Sequence, residues 1–414
     1  MRHLIAAATA AAALAVAGTA DAAWIGSWGA SPEPPTVATP GVAPTGRFRA
    51  SPSFENQTVR QIVRVSAGGK QVRVRLTNAF GTKRLRIGAA TIGVSDGKGG
   101  VVPGTARIIT FGMGSSRAVI PAGAPLVSDP VDMAVAPLAS LAISLYLPDA
   151  TGPCTCHSTG MQNAYVATGD HTADAVMPAD ATTIGARTFL SGVEVDAAPG
   201  AKVIVALGDS ITDGVGSTSG ANKRWPDLLA DRLAKVRGSF AVVNHGISGN
   251  RVLNPQAAEP ALARFDRDVL SVPGVTHVIV FEGVNDLGRS VDVASNATLF
   301  GPPDRLSADD MIAGYRQLIA RAHAAGLKII GATIAPYQGA SYWQPEGEFK
   351  REQINNWIRT WGEFDGVIDF DAAFRDPAKP TQMKDGFHAG DHLHGSDAGY
   401  QAAADAIDLG LFTK

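Results

Sequence analysis

Val203 to Ser217 reads VIVALGDSITDGVGS. Five apolar residues, Val203 to Leu207, run without a polar break. The chain then passes through Gly208, Asp209 and Ser210 into a glycine-rich stretch. A short continuous apolar run bounded by turn residues fits a strand covered on both faces, as in a parallel sheet. Ser210 then stands just past the carboxyl end of a buried strand.

Downstream, strand and helix patterns alternate. Pro226 opens a helix that carries Trp225, Leu228, Leu229, Leu233 and Val236 on one face. FAVVN (240–244) and THVIVFEG (276–283) read as strands. The stretch 307–326 reads as a helix capped by Ser307 and closed by Gly326. LKIIGATIAP (327–336) is a strand, QINNWIRTWGEF (353–364) a helix and GVIDF (366–370) a strand, and the last helix starts near Ser396. Strands alternating with helices predict a parallel sheet covered on both faces, with ligands at the carboxyl ends of its strands.

Upstream of DAAPGAK (196–202), which reads as a linker, the period is two. TVRQIVRVSAGGKQVRVRLTN (58–78) alternates around Gly68-Gly69 and predicts a hairpin. LRIGAATIGV (85–94), ARIITFGM (106–113) and SLAISLYLP (140–148) are further short strands, and helical spacing is nearly absent. This half is expected to form an all-β sandwich or jelly-roll-like fold.

The 414 residues are 45% hydrophobic and 18% charged with a formal charge of −2. That composition suits a packed globular protein and gives no electrostatic footprint for nucleic acid. Arg2 and His3 precede an Ala/Leu/Val run that ends in Ala20-Asp21-Ala22. Residues 1–22 therefore read as a secretory signal peptide, and no stable membrane anchor is expected. The expected division is 1–22 signal peptide, 23–198 β-sandwich and 199–414 α/β domain. Export would place the mature chain in the periplasm or outside the cell, where the two cysteines, Cys154 and Cys156, would pair and stiffen a loop.

A serine hydroxyl needs a base, a group that orients the base, and an oxyanion site. GDHLHGSDAGY (390–400) holds Asp391 and His394 three apart before a helix, so the carboxylate can reach one imidazole nitrogen and leave the other free. VVNHGISGN (242–250) puts Gly249 beyond the second strand, with a backbone N–H open to close approach. VFEGVNDLG (280–288) puts the Asn285 amide beyond the third.

These blocks, in this order, resemble the SGNH hydrolase superfamily, or GDSL-type esterases and lipases, over roughly residues 200–414. The resemblance implies a flavodoxin-like three-layer α/β/α fold and Ser–His–Asp ester hydrolysis. Carried over, Ser210 is the nucleophile, His394 the general base and Asp391 its orienter. The oxyanion hole is then the Ser210 and Gly249 N–H groups with the Asn285 amide. No cofactor or metal is implied.

Other residues have competing readings. GVSDG (93–97) matches a nucleophile-elbow pattern, but its Asp-Gly lies between two strands, so Ser95 is expected in a hairpin turn. His388, Asp391, His392 and His394 form too thin a set for a metal. His245 and His277 border apolar strands and read as structural. Asp209 and Asp213 flank the nucleophile; Asp209 is expected to brace the loop, with a glycosidase carboxylate pair as the other option. Trp225, Tyr337, Tyr342 and Trp343 are candidate pocket residues.

The expected function is a secreted serine esterase acting through an acyl-enzyme. A sandwich ahead of an SGNH domain resembles some secreted carbohydrate esterases, which implies an acetylated polysaccharide as partner. Lipase, arylesterase or lysophospholipase activity is the enzymatic alternative. A glycan-binding module with a vestigial hydrolase half is the non-enzymatic one.

Overall fold

The computed structural model describes residues 23–36, 50–256, 258–290 and 304–413. The expected signal peptide lies outside them. Among the described residues no helix is long and apolar enough to cross a membrane.

The first half is built on two large antiparallel sheets, with two-stranded pairs Leu85–Ile87/Ala118–Ile120 and Cys156–His157/Arg187–Thr188 beside them. One runs in the order Ala23–Gly29, Leu190–Ala197, Gly69–Thr77 and Pro125–Val127, with Val131–Val135 also paired to Gly69–Thr77. The other runs Thr182–Ile184, Ala164–Thr168, Gln57–Arg64, Ser140–Leu147, Ala89–Val94 and Arg107–Ile108.

The expected 58–78 hairpin does not form. Gln57–Arg64 pairs with Ser140–Leu147 and Ala164–Thr168, whereas Gly69–Thr77 pairs in the other sheet. Gly68-Gly69 therefore carries the chain from one sheet to the other. The reason lies in burial: Thr58 through Val63 are all buried, on both faces of their strand. Alternation identifies a covered face, but the same pattern serves a hydrogen-bonded neighbour and a strand across the sandwich. Cys154 and Cys156 are joined by a disulfide in this half.

The second half is a five-stranded parallel sheet in the order Phe240–Gly246, Lys202–Gly208, Val275–Phe281, Lys328–Ala332, Gly366–Ile368. In chain order this is 2-1-3-4-5, the doubly wound arrangement whose switch point lies beside the first strand. Val203 to Leu207 are wholly enclosed, as their unbroken apolar run requires. The helix Trp225–Leu233 packs on Asp397–Ala406, and Ala308–Ala324 packs on Pro345–Thr360 and Ala261–Phe265. Together they make the outer layers of an α/β/α fold. The turn of helix at Ala261–Phe265 runs into a π-helical stretch, Asp266–Leu270, that sequence periodicity did not reveal.

The halves share a seam. Ala23–Gly29 lies along Phe240–Gly246, and one contiguous apolar cluster runs through both. A cavity of about 330 Å³ opens on this seam, lined by Trp28, Pro125, Val193, Val243 and Val272. Ser210 is not among its lining residues.

Candidate active site

Ser210 begins a single helical turn, Ser210–Asp213, directly after the first parallel strand. The Asp209 carboxylate caps that turn by accepting from Ile211 N at 2.9 Å. Gly214, at φ 100°, closes it with its N–H on the Ser210 carbonyl. Neighbouring strand Phe240–Gly246 ends in Gly246, where a Cβ would lie 2.3 Å from Asp213 N. Only glycine lets the Ser210 turn sit that close to the second strand.

The Ser210 hydroxyl lies 2.9 Å from His394 Nε2, across 184 residues of sequence. The other imidazole nitrogen, Nδ1, lies 2.5 Å from Asp391 Oδ2. Asp391 Oδ1 accepts from the backbone N–H groups of Leu393 and His394, each at 3.0 Å. Partial burial would raise the Asp391 carboxyl, but the hydrogen bonds from the His394 ring and backbone outweigh it and hold the group well below the usual carboxylate range. The helix that follows this loop, Asp397–Ala406, is tied to the nucleophile's own loop. Tyr400 Oη donates to the Val215 carbonyl at 2.6 Å, and Asp397 accepts from Thr218 N and Oγ1.

The second strand leads into a turn, Ile247 to Asn250, closed by Asn250 N on the Ile247 carbonyl at 3.0 Å. Gly249 is its third residue and sits at φ 76°, a conformation that a type II turn requires and glycine supplies without strain. After the third strand, Gly283 at φ 125° starts the helix Val284–Arg289 that carries Asn285. The Asn285 amide donates to the Asn250 carbonyl at 2.9 Å, and its own carbonyl accepts from Tyr342 Oη at 3.3 Å. The loops bearing Gly249 and Asn285 are thereby joined.

The structure brings together Ser210, His394 and Asp391, and separately Asn285 with the Gly249 turn. The aromatic candidates divide. Trp225 is fully buried and packs edge-on against Phe370, and Tyr337 is likewise enclosed; neither has a face open to a substrate. Tyr342 is partly buried with its ring flush on Gly288, and Trp343 is partly buried with its indole N–H on Glu348 at 3.3 Å. Ser95 sits beside the turn Asp96–Gly100, where its hydroxyl accepts from Gly97 N.

His245 is buried against Ser31 Oγ at 2.8 Å, and burial pushes its pKa down to about 4. Buried His277 packs edge-on against Phe412 and bonds Thr276 Oγ1. Asp209 faces inward, where burial pushes its carboxyl up, with Asp286 and Asp213 acting in the same direction. Among the described residues no group of His, Cys, Asp and Glu is arranged to hold a metal ion.

Three residues around this site gave no signal in the sequence. Arg264 is fully buried and donates to the carbonyls of Gly208 (3.0 Å) and His245 (2.7 Å) and to Asn250 Oδ1 (2.8 Å). His157 and Glu33, from the β half, are buried behind the Ser210 turn. Their partners lie far away in sequence, which local spacing does not encode.

Residues 206–402 match the family model described as GDSL-like lipase/acylhydrolase. The chain carries a GDSL-like lipase/acylhydrolase domain. With that domain it is a carboxylic ester hydrolase. No match was found among curated proteins. Among solved structures, the GDSL domain is similar to a catalytic mutant of Axe2, an acetylxylan esterase from Geobacillus stearothermophilus. That pair is 23% identical with a TM-score of 0.40, covering 52% of this chain and 95% of the other. A GDSL-like lipase from Bacteroides thetaiotaomicron is 16% identical with a TM-score of 0.38, covering 51% of this chain and 87% of the other.

Proposed function

We propose that the chain hydrolyses small acyl esters through an acyl-enzyme on Ser210. The observation that carries the reading is the unbroken line Ser210 Oγ, His394 Nε2, His394 Nδ1, Asp391 Oδ2, at 2.9 and 2.5 Å. His394 takes the hydroxyl proton as Ser210 attacks the ester carbonyl. It returns that proton to the leaving alcohol, then activates water for deacylation. Asp391 stays ionised because its hydrogen bonds hold it low. It therefore fixes the imidazole and stabilises the imidazolium as it forms. The developing oxyanion is taken by the Ser210 and Gly249 N–H groups and the Asn285 amide.

A carbohydrate acetyl ester is the substrate class we favour. Tyr342, bonded to Asn285 and flush on Gly288, places an aromatic ring beside the Asn285 amide, and a β-sandwich ahead of the esterase half resembles the plan of some carbohydrate esterases. In this reading residues 23–198 and 199–414 are the two domains, and residues 1–22 direct export. Ser210→Ala is expected to abolish hydrolysis of p-nitrophenyl acetate while the circular dichroism spectrum is retained. Residual turnover at the wild-type rate would remove Ser210 from the mechanism. On wild type, the p-nitrophenyl series should fall steeply beyond short acyl chains, and acetate should be released from acetylated xylan.

A further inference from the structure

Behind the Ser210 turn the two halves meet in a buried polar chain. His157 comes from the short strand Cys156–His157 in the β half. Its Nε2 lies 2.9 Å from Asp213 Oδ1 and 3.1 Å from the Thr159 carbonyl. Its Nδ1 lies 3.1 Å from the Ser31 carbonyl and 3.3 Å from Glu33 Oε1. Asp213 ends the Ser210 turn, and its second oxygen accepts from Ser248 N (3.1 Å) and Ser248 Oγ (2.8 Å). Ser248 and Gly249 are the two central residues of the turn beyond the second strand. His157, Glu33, Asp213 and Ser248 are all buried.

Every atom facing the two ring nitrogens of His157 is an oxygen acceptor. A neutral imidazole has one donor, so it leaves one ring nitrogen without a proton to give, whereas the doubly protonated cation serves both nitrogens; burial also pushes the neighbouring Glu33 carboxyl up. We propose that His157, supplied by the β half, is a positioning residue for ester hydrolysis. Its cation holds Asp213, and Asp213 fixes the turn that carries Ser210 relative to the turn that carries Gly249. This rests on the reading of Ser210 as nucleophile and gives the β half a part in the chemistry.

The electrostatics agree. Burial would lower the His157 pKa, but Asp213 and Glu33 outweigh it and push it up to about 9. The charged groups around it are Glu33 and Asp213, with Arg187 and Arg224 lining the same small void and His245 close by. A base with a raised pKa contributes fully below its ordinary value of 6.5 and loses that contribution as pH rises through about 9. The bridge should therefore loosen on the alkaline side.

The test compares wild type and His157→Gln by kcat and KM for p-nitrophenyl acetate from pH 7 to 10. Near-UV circular dichroism is followed at each pH, and a fluorophosphonate probe labels the serine. In wild type, kcat should fall through about pH 9 with KM and the dichroism steady. At pH 7, His157→Gln should lower kcat roughly 10- to 100-fold, the scale of a misplaced reacting group. Its KM should stay within about threefold, and the alkaline fall should be absent. A folded variant with wild-type kcat, or one that keeps the alkaline fall, overturns the proposal. If the variant does not fold, wild type decides: a flat kcat to pH 10 overturns it too. Wild type that neither turns over the ester nor labels Ser210 defeats the underlying reading instead. Wild type that labels, with His157→Gln unchanged, defeats only this inference.

Discussion

Asn285 is held from both ends. Its amide N–H binds the Asn250 carbonyl, and its carbonyl accepts from Tyr342 Oη. A side chain fixed in this way is pre-oriented, so little reorganisation is needed as charge develops on a nearby oxygen. Removing it should therefore act on the transition state more than on binding. Asn285→Ala is expected to raise the barrier by about 3 kcal/mol, near 10²-fold in kcat, with a smaller change in KM. Steady-state kinetics on p-nitrophenyl acetate checks this, and an unchanged kcat would take Asn285 out of the oxyanion site. At this scale the sequence was legible where partners are close or motifs are dense. Asp391 and His394 are three apart, and Ser210 stands at a strand end. His157 and Asp213 are 56 apart, with nothing local to link them.

Glu282 and Arg264 show how elements meet beneath the Ser210 turn. Glu282 follows the strand Val275–Phe281, and its Oε2 lies 3.7 Å from Arg264 Nη2 on the helix Ala261–Phe265. Both are fully buried. Burial, reinforced by Asp209, pushes the Glu282 carboxyl well up despite Arg264. The folded state then keeps a proton that the unfolded chain releases above the ordinary value of 4.5. Stability from this group therefore falls as pH rises. Glu282→Gln keeps the shape and cannot ionise, so its advantage over wild type should widen from pH 5 to pH 8, read from urea midpoints. A constant gap would show that the folded-state Glu282 carboxyl is not raised above its ordinary value. The parallel strands were legible because burial on both faces writes an unbroken apolar run. The false hairpin at 58–78 arose because alternation reports a covered face and not a partner. The helix after Pro260 was missed because its π-helical end breaks the 3.6-residue period.

At the scale of the whole molecule, the question is whether the two halves behave as one cooperative unit. Separate domains in one chain usually meet through modest polar interfaces and move independently unless the contact is large and apolar. Here the seam is continuous with both cores. Its hydrogen bonds include Gly26 N to the Pro273 carbonyl and Val242 N to Ser66 Oγ, each at 2.9 Å. Arg64 pairs with Asp231 at 2.5 Å. Arg264 from the α/β half donates to Ser31 Oγ at 3.2 Å, and His157 from the β half closes on Asp213. Unfolding the β half alone would expose Val243 and Val272 and strip Asp213 of its His157 partner, a costly state. The intermediate with one half folded is thus penalised by both apolar and ionic terms. Calorimetry at neutral pH should show a single transition whose calorimetric and van't Hoff enthalpies agree. Two resolved peaks, with ester hydrolysis surviving the first, would mean that the β half can melt without disturbing the Ser210 site.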